Sequence, residues 1–466
     1  MRRLGKIIVW ALVLLIAVAI GGIYWVSQSP PDIIRVALNY GAKMVCSNVF
    51  VAGRDVDDIL ATDVQAPEHP LFWLMEAEVD QGGGTVETNI AGMIGTGLAV
   101  DRQGVGCAVV ADGNIERAID HIGPVTSLPP HSPDLLWPEG TKAEEDNRIA
   151  AILDDPAMTG PGMRAVVVVK NGRIAGERYG PGFSADSRLI GWSMTKTVNA
   201  ALVGRLVREK IVARDKAELF ADWAGDERAG ITLENMLAMS PGLAFNEDYG
   251  AVSDVSRMLY LEPDMAGFVT AKPLEGDPGS EFNYSSGTSV AIARLWQNQF
   301  VDSGKALDFP VRALFDPLGM RSALLETDAR GTFVASSYLY ATARDWARFG
   351  QFLLQRGVWN GASLLPVGFV DWMVSPNPAS KAPWGDPRYG RGQVWLHGPD
   401  PGLAKDIDPD KGFDLPEDAF WMRGHDGQTT TIIPSEDLVV VRLGLTPTSQ
   451  KYRPQAMVSA LIKALR

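Results

Sequence analysis

Cysteine is nearly absent from this chain of 466 residues, with only Cys46 and Cys107 present. There is no CxxC pair and no Cys/His cluster, which excludes a structural zinc site as the organising element. Histidine is scarce as well. His69, His121, His131, His397 and His425 stand apart, and none forms an HExxH or similar ligand pair, so neither a metal nor another cofactor is expected. An excess of positive charge is also lacking: the formal net charge is -13. Nucleic acid and anionic lipid surfaces both demand clustered Lys and Arg, so neither is an expected partner. Internal repeats and low-complexity tracts are missing too. No G-x-S-x-G elbow surrounds Ser193, where the chain reads Gly-Trp-Ser-Met-Thr, and this disfavours an α/β-hydrolase architecture.

What is present begins at the N-terminus. Arg2, Arg3 and Lys6 precede an uncharged apolar run over residues 7–26. That length matches the roughly 20 residues a helix needs to cross a hydrocarbon core. Trp10, Tyr24 and Trp25 lie near its ends, and the flanking cations orient the N-terminus toward the cytoplasm. A membrane anchor over residues 1–31 is therefore expected, with the remainder extracytoplasmic (periplasmic). The alternative is a signal peptide cleaved near Ala17-Val18-Ala19, giving a secreted protein. Either route exports the rest into an oxidising compartment. A Cys46–Cys107 disulfide is then expected, against two unrelated buried thiols.

Residues 32–140 read as an accessory region and linker. Gln81-Gly82-Gly83-Gly84 is a loop, the apolar stretch 104–110 a strand candidate, and Pro124, Pro129, Pro130 and Pro138 break regular structure. The main domain is expected over residues 141–466. The β-branched run 165–169 reads as a strand buried on both faces, and Asn171-Gly172 as a tight hairpin turn into a return strand ending at Tyr179. Far along the chain, 429–433 and 438–443 are two more strand candidates, and 455–465 a closing helix. The residues between are mostly helical in pattern, with a helical insert at about 205–345. The fold class this predicts is α+β: one antiparallel sheet completed from distant segments, flanked by helices, with a mostly helical insert.

Three segments carry chemistry. In Ser193-Met194-Thr195-Lys196, positions i and i+3 share one helix face, so a hydroxyl and an amine lie one turn apart. A serine hydroxyl needs a neighbouring base, and lysine serves when burial depresses its pKa. Asn283-Tyr284-Ser285-Ser286-Gly287 reads as a loop presenting a phenol. Arg423-Gly424-His425-Asp426-Gly427-Gln428 leads straight into a strand, with glycines that let a substrate approach the strand edge.

In this order and spacing the three segments resemble the serine β-lactamase and penicillin-binding-protein superfamily. More narrowly they resemble its class C-related serine hydrolases, which include 6-aminohexanoate-dimer hydrolases and esterases. Ser240-Pro241-Gly242-Leu243, Asp316-Pro317-Leu318-Gly319-Met320, Asp345-Trp346-Ala347-Arg348 and Tyr389-Gly390-Arg391-Gly392 add to the likeness, which covers about residues 145–460. The resemblance implies that Ser193 is acylated by an amide or ester of a small molecule or short peptide. It implies that Lys196 and Tyr284 share the proton, and that the backbone N–H groups of Ser193 and Gln428 form an oxyanion hole. Ser286, His425 and Gly427 would line the substrate site. Two departures stand out. His425-Asp426-Gly427 occupies the place of Lys-Thr-Gly, and Ser286 stands where the antibiotic-hydrolysing members carry asparagine. Both fit amide or ester hydrolysis better than cleavage of β-lactams. A DD-peptidase or β-lactamase, a non-catalytic sensor, and a Ser–His–Asp triad built on Ser193 and His425 are the alternatives. Trp384, Trp395 and Trp421 are expected to be core or rim, and the loop 399–418 a surface excursion.

Overall fold

The computed structural model describes residues 2–65, 70–124, 128–250 and 252–466. His69 and the stretch 125–127 of the Pro-rich linker lie outside the described residues. Contacts divide the chain into two compact units.

The smaller unit comprises Met1–Asp101, Cys107–Asp120 and Asp248–Pro263. Four antiparallel strands run in sequence order: Met75–Asp80, Thr85–Ile90, Ile94–Val100 and Ala108–Val109. The helix Asp32–Cys46 lies on this sheet. A Cβ at Gly97 would come within 2.4 Å of the Leu38 carbonyl, so glycine permits the close approach. Thr88 Oγ1 donates to Leu38 O at 2.7 Å, and Asn39 donates to Tyr260 O at 2.7 Å on the short helix Asp254–Leu261. Cys46, at the helix end, is bonded to Cys107, and both are buried. The strand anticipated at 104–110 shrinks to Ala108–Val109, because Gly104 and Gly106 both adopt positive φ and bend the chain.

Arg2–Gln28 is one continuous helix of 27 residues. Among the described residues, however, no helix is long and apolar enough to cross a membrane. The expected N-terminal anchor therefore finds no support here beyond its helicity.

The larger unit comprises Arg102–Gly106, His121–Glu247 and Asp264–Arg466, and its architecture is α+β. Five antiparallel strands form its sheet, in the order Phe420–Arg423, Thr429–Ile433, Leu438–Gly444, Met163–Lys170 and Arg173–Tyr179. Register is fixed from distant segments, with Val440 opposite Val168 and Val441 opposite Val167. Asn171 and Gly172 both have positive φ, as the hairpin turn requires. The central strands are buried on both faces, which accounts for their unbroken apolar runs. On one face, Ile149 and Leu153 of the helix Asn147–Leu153 pack with Val166, Val168, Trp421 and Val440. Met457, Leu461 and Ile462 of the closing helix Gln455–Leu465 complete that layer. The other face carries Ala343–Leu354. A Cβ at Gly350 would meet Val439 at 2.5 Å, which explains a glycine inside that helix.

The Pro-rich linker is not wholly irregular. Ser132–Leu136 and Gly140–Lys142 form a short parallel pair, and Trp137 between them is fully buried beneath Arg348. The helical insert consists of short helices joined by long irregular stretches. Two longer helices stand out, Thr195–Arg208 and Ser286–Gln297, and they are linked through Asn199. Its amide donates to Ser289 O, and its oxygen accepts from Trp296 Nε1, each at 2.9 Å.

Candidate active site

Ser193 sits where a short strand turns into a helix. Leu189–Ile190 pairs with Leu339–Ala341, and Gly191 N donates to Leu339 O at 2.9 Å. The chain then bends sharply. Trp192 lies in the left-handed region at φ 47°, and a single 3₁₀ turn, Trp192–Met194, runs into Thr195–Arg208. Trp192 and Met194 are buried, whereas Ser193 is half-buried, so the turn offers its hydroxyl to the outside.

One helical turn on, Lys196 is almost wholly buried. Its Nζ lies 3.0 Å from Ser193 Oγ, 3.0 Å from Ser286 Oγ and 3.1 Å from Ser336 O. Loss of solvent disfavours its charged form, and the negative charge of Glu247 offsets this only in part. The lysine pKa is lowered to about 8.

The Tyr284 ring stands 4.8 Å from Lys196 Nζ, to which it presents its π face. Burial pushes the phenol pKa up, while a hydrogen-bonding interaction with Ser193 and the charge of Arg423 pull in the other direction. The loop that holds Tyr284 is fixed by Asn283, whose backbone N–H donates to Met239 O and whose amide donates to Phe245 O. Ser285 caps the following helix by accepting from Thr288 N at 2.9 Å. Trp395 packs against Tyr284 with ring centroids 5.2 Å apart, so it touches the site. Trp421 is buried in the sheet core, and Trp384 meets His397 edge-on.

Ser286 begins the helix that Ser285 caps. Its backbone N–H donates to Glu247 Oε2 at 2.7 Å, and its hydroxyl donates to Glu247 Oε1 at 2.5 Å. Glu247 and the Ser336 carbonyl are the two elements that sequence reasoning does not single out. Each sits in irregular chain where no periodicity marks it.

The third segment closes the site from the sheet. His425 is exposed, its ring edge-on to Trp192 at 5.7 Å and 3.5 Å from Asp426. Asp426 and Gly427 have positive φ, and a Cβ at Gly427 would press on Arg442 Nη1 at 3.0 Å. The Gln428 side chain is spent internally. Its Nε2 donates to His425 O at 3.0 Å and to Gly444 O at 2.5 Å, and its Oε1 accepts from Gly444 N. A cleft of about 250 Å³ adjoins this turn, lined by Asp400, Arg423, His425, Gly427 and Tyr452 among others. Arg423 lies over Trp395 and pairs with Asp400 at 2.9 Å. The 399–418 loop is pinned from within, since Asp410 accepts from Gly398 N and from Gln455. Among the described residues, no group of three or more His, Cys, Asp or Glu is placed to hold a metal ion.

The architecture is that of the β-lactamase and transpeptidase-like α+β proteins, with a serine, a lysine and a tyrosine gathered between sheet and helical insert. Residues 153–461 match the Beta-lactamase family model, and the chain belongs to that family of hydrolases. It is similar to the 6-aminohexanoate-dimer hydrolase of Paenarthrobacter ureafaciens, at 26% identity over 227 residues, or 45% of this chain. The match spans 57% of that relative's length. A Bacillus anthracis structure provisionally named 6-aminohexanoate-dimer hydrolase superposes with a TM-score of 0.57 at 22% identity, covering 72% of this chain and 89% of that one. A Bacteroides dorei structure provisionally named β-lactamase gives 0.51 at 20% identity, covering 69% and 97%. These two likenesses concern the fold.

Proposed function

We propose that the protein is a serine hydrolase that cleaves an amide or ester bond of a small molecule or short peptide through an acyl-enzyme on Ser193. The observation that carries this is the buried Lys196 amine 3.0 Å from the Ser193 hydroxyl. A lysine with a pKa of about 8 is substantially neutral in mildly alkaline water and accepts a proton from the attacking hydroxyl. Tyr284, beside both groups, relays that proton to the leaving nitrogen or oxygen. The backbone N–H groups of Ser193 and Gln428 receive the oxyanion; such donors typically contribute about 2.7–4 kcal/mol each. His425 and Gly427 line the substrate side; Ser286 is fully buried, and its hydroxyl serves Lys196 and Glu247 rather than the substrate.

The third segment bears on the substrate class. It places the exposed His425 where the β-lactamases and transpeptidases carry a lysine, so the lysine ammonium that would hold a β-lactam or peptide carboxylate is missing. Linear amides and simple esters are favoured over β-lactams and D-Ala-D-Ala peptides, in keeping with the likeness to a protein named 6-aminohexanoate-dimer hydrolase. A location outside the cytoplasm is part of this reading, and the Cys46–Cys107 disulfide supports it.

The test is a panel of p-nitrophenyl esters, linear amides, β-lactams and D-amino acid peptides, run with the wild type and Ser193→Ala, together with fluorophosphonate labelling. Esters and linear amides turn over and label Ser193, and Ser193→Ala abolishes both. Full turnover by Ser193→Ala would overturn the reading. Stoichiometric acylation without release would replace it with a sensor, and D-alanine release with a DD-peptidase.

A further inference from the structure

Glu247 takes part in none of the chemistry assigned above, yet it holds both polar groups of Ser286. The polarity of these hydrogen bonds constrains the lysine. An ionised carboxylate only accepts, so the Ser286 hydroxyl spends its one proton on Glu247 Oε1, 2.5 Å away, and its backbone N–H on Oε2. Toward Lys196, 3.0 Å away, Ser286 Oγ can therefore offer only a lone pair. The Ser336 carbonyl, 3.1 Å from the same nitrogen, is likewise only an acceptor. A neutral lysine amine has two N–H bonds and one lone pair. With both N–H bonds drawn to Ser286 and Ser336, the lone pair is left facing the third neighbour, Ser193 Oγ at 3.0 Å.

We infer that Glu247 is a positioning residue: acting through the Ser286 hydroxyl, it fixes the direction of the Lys196 lone pair onto Ser193. This rests on the reading of Ser193 as nucleophile and Lys196 as its base. In the step it serves, the Ser193 O–H bond breaks as the proton passes to Nζ. The Oγ–C bond forms, and the carbonyl electron pair moves onto oxygen. The new ammonium keeps its bonds to Ser286 and Ser336, with its third N–H on the Ser193 oxygen; as the carbonyl re-forms and the bond to the leaving group breaks, Tyr284 gives that group its phenol proton and regains one from Lys196. Nothing rotates between the two states. The groups facing Lys196 that bear on its charge are Glu247 beyond Ser286 and the Tyr284 phenol, which Arg423 in turn influences from the strand Phe420–Arg423. Glu247 favours the ammonium, so its charge also sets where the base begins to work.

Glu247→Gln separates this from a structural role. The amide oxygen keeps the Ser286 N–H, which needs an acceptor, and its NH₂ now donates to Ser286 Oγ. The serine proton is released toward Lys196 and competes with Ser193 for the lone pair. The pH profile of kcat/KM on a p-nitrophenyl ester is expected to show a plateau lowered about tenfold or more. Its acid limb should move to lower pH, because a negative charge has gone. Glu247→Asp, which keeps charge and acceptors, is expected to retain the wild-type limb. In a Ser286→Ala background, the Gln substitution is expected to lower the plateau far less, since the intermediary is missing. An unchanged limb and plateau in Glu247→Gln would overturn the inference. So would equal displacement in the Gln and Asp variants, or a plateau loss that persists in full without Ser286. Thermal melts of each variant identify unfolding, and then the Asp and Ser286→Ala profiles decide. Loss of Ser193-dependent fluorophosphonate labelling in the wild type would refute the underlying mechanism instead, whatever Glu247 does.

Discussion

Lys196 Nζ and Ser193 Oγ lie 3.0 Å apart, one helical turn from each other, with the amine buried and the hydroxyl half-exposed. Burial lowers the lysine pKa from 10.5 to about 8, so the reactive neutral amine grows as pH rises through that value. With a p-nitrophenyl ester, kcat/KM is expected to climb with pH along a limb centred near 8. Lys196→Arg, which stays charged throughout, should lose about 10²–10⁴-fold and show no such limb. The same shift has a stability consequence of definite sign. Between about pH 8 and 10.5 the unfolded chain holds a proton that the native lysine has released, so this group's contribution to stability rises with pH over that window. A pH-independent rate between about pH 6 and 9 would contradict the assignment.

The glycine before the bend is set by its neighbour. A Cβ on Gly191 would stand 2.1 Å from the buried Trp346 ring, and the next residue already sits at positive φ. Gly191→Ala must push the indole or the turn aside. Overpacking of this kind costs about 1–3 kcal/mol. The same displacement moves Ser193 relative to Lys196, so labelling by a fluorophosphonate should slow more than the melt alone implies. Chemical denaturation read beside labelling rates checks both. A variant with wild-type stability and wild-type labelling would show that the turn does not depend on this contact.

Much of this arrangement is legible from local pattern, and the part that is not has a common cause. The strands at 165–169 and 438–443 announce themselves because both faces are covered, and Asn171-Gly172 marks its turn through the positive φ that both residues adopt. Ser193 and Lys196 are readable as a pair because the 3₁₀ turn at Ser193 runs straight into the helix of Lys196 and keeps the one-turn spacing. Glu247 is not readable: it is a single acid in irregular chain, and only folding brings it to Ser286, 39 positions away. The segment Asp248–Pro263 is hidden for the same reason. It looks like more of the helical insert, yet its helix Asp254–Leu261 packs with Asp32–Cys46, because Asn39 finds its acceptor at Tyr260. The third-motif residues are legible by position, but the use of Gln428 as an internal brace depends on Gly444, a strand away.

Within the smaller unit, the Cys46–Cys107 bond closes a long loop between the end of a helix and the last strand of its sheet. Such a link stabilises mainly by restricting the unfolded chain, typically by about 2–4 kcal/mol. Cys107→Ala, or reduction, is expected to lower the unfolding midpoint of this unit. Below that midpoint, Ser193 labelling should persist, since Ser193, Lys196 and Tyr284 all belong to the larger unit. Calorimetry with and without reductant, paired with labelling, tests this. Identical thermograms would show that the bond adds nothing.

Arg442 carries the third motif on its side chain. It is fully buried in the strand Leu438–Gly444. Its guanidinium donates to Thr159 O at 3.1 Å, Gly427 O at 3.1 Å, Pro161 O at 3.0 Å and Thr446 Oγ1 at 2.7 Å. The Tyr452 ring lies 4.8 Å away. Its ionised form is costly in this setting, and desolvation lowers its pKa to about 10. It remains charged at neutral pH and ties together two loops and the turn that presents Gln428. Arg442→Met fills the volume but takes the donor from Thr159 O and Gly427 O, at about 1–3 kcal/mol for each buried group left unpaired, while Pro161 O keeps its bond from Thr446 Oγ1. Freed from its anchor, the Gly427 carbonyl can rotate, and with it the Gln428 N–H that is proposed to face the oxyanion. Loss of one such donor lowers kcat by about 10²–10³-fold, so kcat should change far more than KM. Arg442→Lys, with three donors on one nitrogen, cannot span the four acceptors and should recover stability only in part. Equilibrium denaturation and ester kinetics on both variants provide the check. A stable Arg442→Met enzyme with unaltered kcat would mean that the turn holds its shape without the guanidinium.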